Sequence, residues 1–269
     1  MILYAQKPLL GELPIWVPNP AGIPAPDVFW AMNEGDGDKV TDQSQNERNG
    51  TLTGGATWTP EGINFPNAAG NGVVWTDDAS LEGANVTEFT LFADFLWTGG
   101  GDDWQYVIGK SYDVYQTYVD GAGVRLGNIG FGVRTDGSGG NQYDDEEAFD
   151  YIMSPGERCF ASATWSSDGT IYFYVNGVLT NSAACAGEYL STNTHLFSMG
   201  NRSGTTIRDF NGNVYIGGMF KKALTPEQIQ YFYLHNFYAW EHPELWELYV
   251  SSAPGGLSIP VAMHSYMQQ

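Results

Sequence analysis

Carboxylates outnumber bases 31 to 11 in this chain, so acid–base chemistry would have to come from paired Asp and Glu. Retaining hydrolysis of a glycosidic bond needs two carboxyl groups about 5 Å apart, one a nucleophile and one an acid. On a strand, side chains share a face only at every second position. Glu34-Gly35-Asp36-Gly37-Asp38 has that spacing, but two interleaved glycines favour a turn, which gives a catalytic pair no rigid support. Asp144-Asp145-Glu146-Glu147 points neighbouring acids opposite ways and reads as a solvated loop. None of His195, His235, His242 and His264 lies in a setting that pairs it with a Ser or Cys nucleophile, and no His/Cys spacing fits zinc. Gly99-Gly100-Gly101 runs into Asp102-Asp103, which would repel phosphate. The expectation is a protein without catalytic machinery.

Binding chemistry is better represented. Calcium takes six to eight oxygens from loop carboxylates, amides and carbonyls. Asp42, in Asp42-Gln43-Ser44-Gln45-Asn46, and Asp209, in Asp209-Phe210-Asn211, are the candidate ligands. The competing reading is that Asp42 and Ser44 cap turns by bonding their own backbone. Sugar recognition needs aromatic faces beside polar groups in an exposed loop or groove. Trp104 and Tyr106 beside Asp102-Asp103, Tyr112 and Tyr115 around Asp113, and Tyr143 before Asp144 are the candidates. Against them stands the use of aromatics as core filling.

These residues must be positioned by strands. The chain carries 34 Gly, 13 Pro and 14% aromatic residues, a composition for turns and β-structure. Short strands are expected at Val28-Phe29-Trp30-Ala31-Met32, Thr51-Leu52, Gly62 to Phe65, Val73 to Trp75, Phe89 to Trp97, Tyr106 to Ile108, Ile129 to Val133 and Val214 to Phe220. The clearest hairpin runs from Cys159 to Trp165, turns, runs from Thr170 to Val175, and turns again at Asn176-Gly177. It places Cys159 opposite the region of Asn176, well before Cys185, so both thiols are expected to be reduced. One helix is expected from the Thr225 cap and Pro226 to about Asn236. Six prolines interleaved with Leu9, Leu10, Leu13, Ile15, Trp16 and Val17 make residues 1–26 an arm that packs on something. The formal net charge of −20 disfavours nucleic acid and anionic lipid. No apolar run has the length of a membrane span, and the N-terminus lacks a signal-peptide pattern, so synthesis in a cytosol is expected.

The order of landmarks is informative as a set. Phe29-Trp30-Ala31-Met32-Asn33-Glu34-Gly35-Asp36-Gly37 is followed by Asp42 to Asn46 and Asn49-Gly50-Thr51-Leu52. Then come Phe89 to Phe95, the Trp165 to Gly177 hairpin, Phe210-Asn211-Gly212 and Ala223-Leu224-Thr225-Pro226-Glu227-Gln228-Ile229. Over about residues 27–236 this resembles the concanavalin A-like lectin/glucanase superfamily in its laminin G-like branch. The resemblance implies an all-β, two-sheet antiparallel jelly-roll sandwich, with one short C-terminal helix and extended arms at residues 1–26 and 237–269. In context the chain is similar to free-standing laminin G-like proteins of tailed bacteriophages. That implies an accessory virion protein, a capsid decoration or fibre-associated subunit, whose arms contact capsid or tail proteins in a homo- or hetero-oligomer. A carbohydrate-binding lectin-like module is the alternative. A glycoside hydrolase stays open only because the superfamily contains them.

Overall fold

The computed structural model describes residues 21–44, 46–68, 70, 72–75, 78–101, 103–111, 114–135, 142–145, 147–202 and 208–235. In chain order the strands are β1 (Val28–Trp30), β2 (Lys39–Val40), β3 (Gly50–Thr53), β4 (Thr57–Thr59), β5 (Gly62–Pro66), β6 (Gly72–Val74), β7 (Glu88–Trp97) and β8 (Gln105–Gly109). They continue with β9 (Tyr115–Val119), β10 (Ile129–Arg134), β11 (Gln142–Asp145), β12 (Glu157–Ser166), β13 (Thr170–Val175), β14 (Val178–Ala184), β15 (Ser198–Met199) and β16 (Asn211–Phe220). One helix, α1, spans Pro226–Leu234.

Two antiparallel sheets form the sandwich. The first has the order β14-β13-β12-β7-β16-β5-β4, with β1 also paired to β16. The second has the order β11-β10-β9-β8-β15-β6-β3-β2. Alternation along β7 explains how one strand serves two layers. Phe89, Leu91, Ala93, Phe95 and Trp97 join the core between the sheets, while Phe92 turns to the outer face of the first sheet. The inter-sheet core is aromatic: Phe89 lies 5.4 Å from Tyr115, 6.0 Å from Trp165 and 6.3 Å from Phe131.

Helix α1 covers a second apolar cluster on that outer face. Thr225 accepts from the Gln228 backbone N–H while the Gln228 side chain accepts from Thr225 N, a capping box that fixes the start. Ile229 and Phe232 then pack on Phe92, Phe160, Ile216 and Phe220. Ala21 and Ile23 join the same cluster, and the Gln228 amide donates to the carbonyls of Ala21 and Gly22. The Asn176-Gly177 turn carries two residues of positive φ, 50° and 77°, as a two-residue hairpin requires. Both cysteines are free and buried, and burial pushes the Cys159 and Cys185 thiols up. No helix among the described residues is long and apolar enough to cross a membrane.

Candidate functional site

The carboxylates considered for hydrolysis do not form a site. β1 ends at Trp30 and β2 begins at Lys39, so Glu34, Asp36 and Asp38 lie in the connecting loop. Gly35 and Gly37 take φ of 79° and 74°, Asp36 and Asp38 face solvent, and one Glu34 oxygen accepts from Thr41 N. Asp144 and Asp145 depart from the loop expected for them. They end β11, paired with Gly132 and Phe131 of β10, because an edge strand can turn its acids to water.

The calcium candidates are engaged otherwise. Asp42 is buried, and its carboxylate accepts from Phe29 N, Ser44 N, Ser44 Oγ and Arg48 N at 2.7–2.9 Å. Four donors fill the four lone-pair sites of a carboxylate. Arg48 supplies the local positive charge: its guanidinium bonds Asp78, Ser80 and the Asp27 carbonyl. Asp209 is also buried, and one of its oxygens accepts from the Asn201 amide. Among the described residues no group of three or more His, Cys, Asp or Glu side chains is placed to hold a metal ion. The turn-capping geometry describes Asp42.

The aromatic candidates separate. Tyr115 is fully buried in the inter-sheet core on β9 and donates its hydroxyl to Leu81 O, so it offers no face to a sugar. Tyr106 is 1% exposed, and its oxygen accepts from Ser111 N. Neither is exposed in a loop as expected: alternation along β9 turns Tyr115 into the core, and Tyr106, on β8, is covered with its hydroxyl at the Ser111 backbone. Tyr143 is half-buried and stacks on Phe173 at 5.7 Å. Tyr112 and the arm residues Leu9, Leu10, Leu13, Ile15, Trp16 and Val17 lie outside the described residues. Of the candidate aromatics among the described residues, Trp104 is the exposed one, at 37%. It is held with φ 53°, and the Arg208 guanidinium lies 4.4 Å from its ring centroid. Arg208 also has positive φ, 78°, and its carbonyl accepts from Tyr106 N. Two side chains on strained backbone thus stack on each other, and the Arg208 charge lies near enough to the Tyr118 phenol to favour its ionised form.

The polar lining of the second sheet's outer face was not anticipated. β10 reads Ile129-Gly130-Phe131-Gly132-Val133, with its apolar residues in the core and its glycines on the outer side. A Cβ at Gly130 would come 2.2 Å from the Tyr118 ring, and one at Gly132 would come 3.2 Å from Asp144 Oδ1. The glycines therefore leave a bare floor across which Tyr118, Gln116 and Asp144 lie. Tyr118 donates to Asp144 Oδ1 at 2.9 Å, and burial together with that carboxylate pushes its phenol up, so it remains a neutral donor. Tyr106 sits opposite Tyr118 on β8. Gln116 is 3% exposed, and neither its Oε1 nor Ser111 Oγ has a hydrogen-bond partner. Buried acceptors without partners are costly and rare in folded chains. The alternation of glycine with apolar residues in β10 was the available signal.

No curated protein sequence matches the chain. Among solved structures it is similar to the binding domain of Paraclostridial Mosquitocidal Protein 1, with 13% identity, TM-score 0.59, and 80% of this chain covering 54% of that one. The receptor binding domain of botulinum neurotoxin C/D mosaic serotype gives 13%, 0.58, 81% and 54%. Trypanosoma rangeli sialidase gives 16%, 0.53, 79% and 33%. The chain thus spans about half of each toxin domain and a third of the sialidase, and at these identities the likeness is one of fold. Residues 67–230 match the laminin G-type family model of the concanavalin A-like lectin/glucanases superfamily. With more than half of the chain inside that match and the two-sheet sandwich it implies, the chain belongs to this family.

Proposed function

We propose that the protein is a non-catalytic carbohydrate-binding module whose site is the outer face of the second sheet. The observation that carries this reading is Trp104, exposed and stacked on Arg208, at the rim of a buried polar floor with an unpartnered Gln116 oxygen. An aromatic edge over polar groups is the composition that sugar recognition uses. The toxin domains with the same fold are described as binding domains, one of them in complex with SialylT, which agrees with a binding role. A glycan array, followed by titration calorimetry on any hit, tests it. Trp104→Ala is expected to weaken binding about tenfold or more, roughly 1.4 kcal/mol, without changing the thermal midpoint. An array with no binding counts against the reading, and release of reducing ends that is lost on Glu34→Gln counts against the absence of catalysis.

A second reading rests on the composition of residues 1–26. In it the module is an accessory part of a tailed phage particle, and the arms join it to capsid or tail proteins. Removing residues 1–20, which stops short of the Ala21 and Ile23 packed against α1, together with the last twenty should then abolish incorporation into particles while the domain still folds. Normal incorporation of the truncated chain would sink it.

A further inference from the structure

Three side chains outside the sugar site meet where distant segments converge. Lys110 directly follows β8, Glu82 lies between two short helical turns before β7, and Asn193 lies in the segment that leads into β15. Lys110 is fully buried and Glu82 is 4% exposed. The Lys110 Nζ stands 3.0 Å from Glu82 Oε2, 3.4 Å from Asn193 Oδ1 and 2.9 Å from the His195 carbonyl oxygen. Asn193 N donates to the same Glu82 oxygen at 2.9 Å, so that carboxylate touches both neighbours. Backbone bonds fix the three segments. Lys110 N donates to Tyr115 O, Gly83 N donates to Ser191 O, and β8 pairs with β15 at Gly109 and Ser198.

This arrangement can do more than neutralise charge. An ion pair taken out of water loses hydration on both members, which favours passing the proton from ammonium to carboxylate. Lys110 is then a neutral amine, a nucleophile, and Glu82 a carboxylic acid. The amide beside them is already polarised: Asn193 Oδ1 accepts from His195 N at 2.9 Å, at the atom where charge gathers during addition. The other end of that amide, Nδ2, donates to Lys110 O at 3.3 Å. Groups held this close react as though at very high concentration.

We propose that Lys110 and Asn193 join in an intramolecular isopeptide bond, with Glu82 carrying the protons. Nζ adds to Asn193 Cγ, and the carbonyl electron pair moves onto Oδ1. Glu82 gives its proton to Nδ2 and takes one from Nζ. Collapse restores the carbonyl, breaks the Cγ–Nδ2 bond and releases ammonia, leaving an amide and a protonated Glu82. Asn193 is only partly buried, which gives the ammonia a way out. The bond closes a covalent loop between residues 83 positions apart and clamps the end of β8 to the approach to β15. The inference is independent of the sugar reading.

A tryptic peptide map by mass spectrometry, taken on the full chain after folded incubation at neutral pH, tests it. Trypsin does not cut at an acylated lysine, so in the wild type residues 49–125 and 159–202 are expected as one branched peptide, lighter than their sum by one ammonia. Boiled in detergent, the looped chain should run ahead of unlinked variants on a gel. Glu82→Gln, which keeps an acceptor for Asn193 N, and Asn193→Ala are expected to give no branched peptide. A wild type whose peptides are all unlinked overturns the proposal. So does an ammonia loss that maps instead to a cyclic imide at Asn176-Gly177, or a branched peptide that persists in either variant. Should a variant fail to fold, the wild-type map decides alone, by fragmentation across Lys110 and Asn193.

Discussion

One buried carboxylate ties β1 to the loop at residues 42–48, since the donors that reach Asp42 come from Phe29, Ser44 and Arg48. Asp42→Ala strands at least two buried donors at about 1–3 kcal/mol each, so a loss of about 3–5 kcal/mol is expected. Asp42→Asn keeps one acceptor oxygen and should cost less. Urea unfolding at neutral pH measures both, and replacing chelator with calcium should leave the wild-type midpoint unchanged. A loss below about 1 kcal/mol for the alanine would mean that the loop re-forms without its anchor. At this scale the sequence was half legible. Asp42-x-Ser44 is a local pattern, and its turn-capping alternative could be weighed without coordinates. Lys110 could not be read: Gly109-Lys110-Ser111 looks like an exposed turn, yet its ammonium is fully buried, 3.0 Å from Glu82 and bonded to His195 O. Both partners arrive from distant loops, and no local spacing encodes that. Gln116 was hidden for the same reason, since its burial depends on neighbours across the sheet.

Elements were legible where one periodicity dominated. β7, β12, β13 and β16 alternate cleanly and were expected within a residue or a few, and the Thr225 capping box located the start of α1. β9 failed instructively. Tyr115-Gln116-Thr117-Tyr118-Val119 has polar or amphipathic residues on both faces, so it resembled a sugar-binding loop. Its outer residues Gln116 and Tyr118 are polar yet buried, because Asp144 and the glycines of β10 on neighbouring strands pack with them. β11 was masked by its acids, which an edge strand tolerates. The two-residue strands β2 and β15 lie below the length at which alternation can be recognised. Strand order was beyond reach as well, because β7 lies between β12 and β16 through pairings made across long stretches of chain.

In the whole molecule, the two outer faces differ: the first sheet's is apolar and helix-covered, and the second sheet's carries Gln116, Tyr118 and Asp144. Its charge is carried mostly at the surface. The main interior ion pairs, Glu82–Lys110 and Asp94–Arg158, are little exposed, and salt screens such pairs weakly. The formal net charge is −20, and salt screens the exposed carboxylates among the described residues, such as Asp36, Asp38, Glu61 and Asp168, strongly. Between about 0.01 M and 0.1 M salt the screening length falls from about 30 Å to about 10 Å, from the scale of the domain to that of neighbouring charges. Repulsion within the fold should therefore relax more than ion pairing weakens. At neutral pH the thermal midpoint is expected to rise by about 2–4 °C, as about 1 kcal/mol of stabilisation implies for a domain of this size. A midpoint that falls with salt would mean that exposed ion pairs outweigh the excess charge.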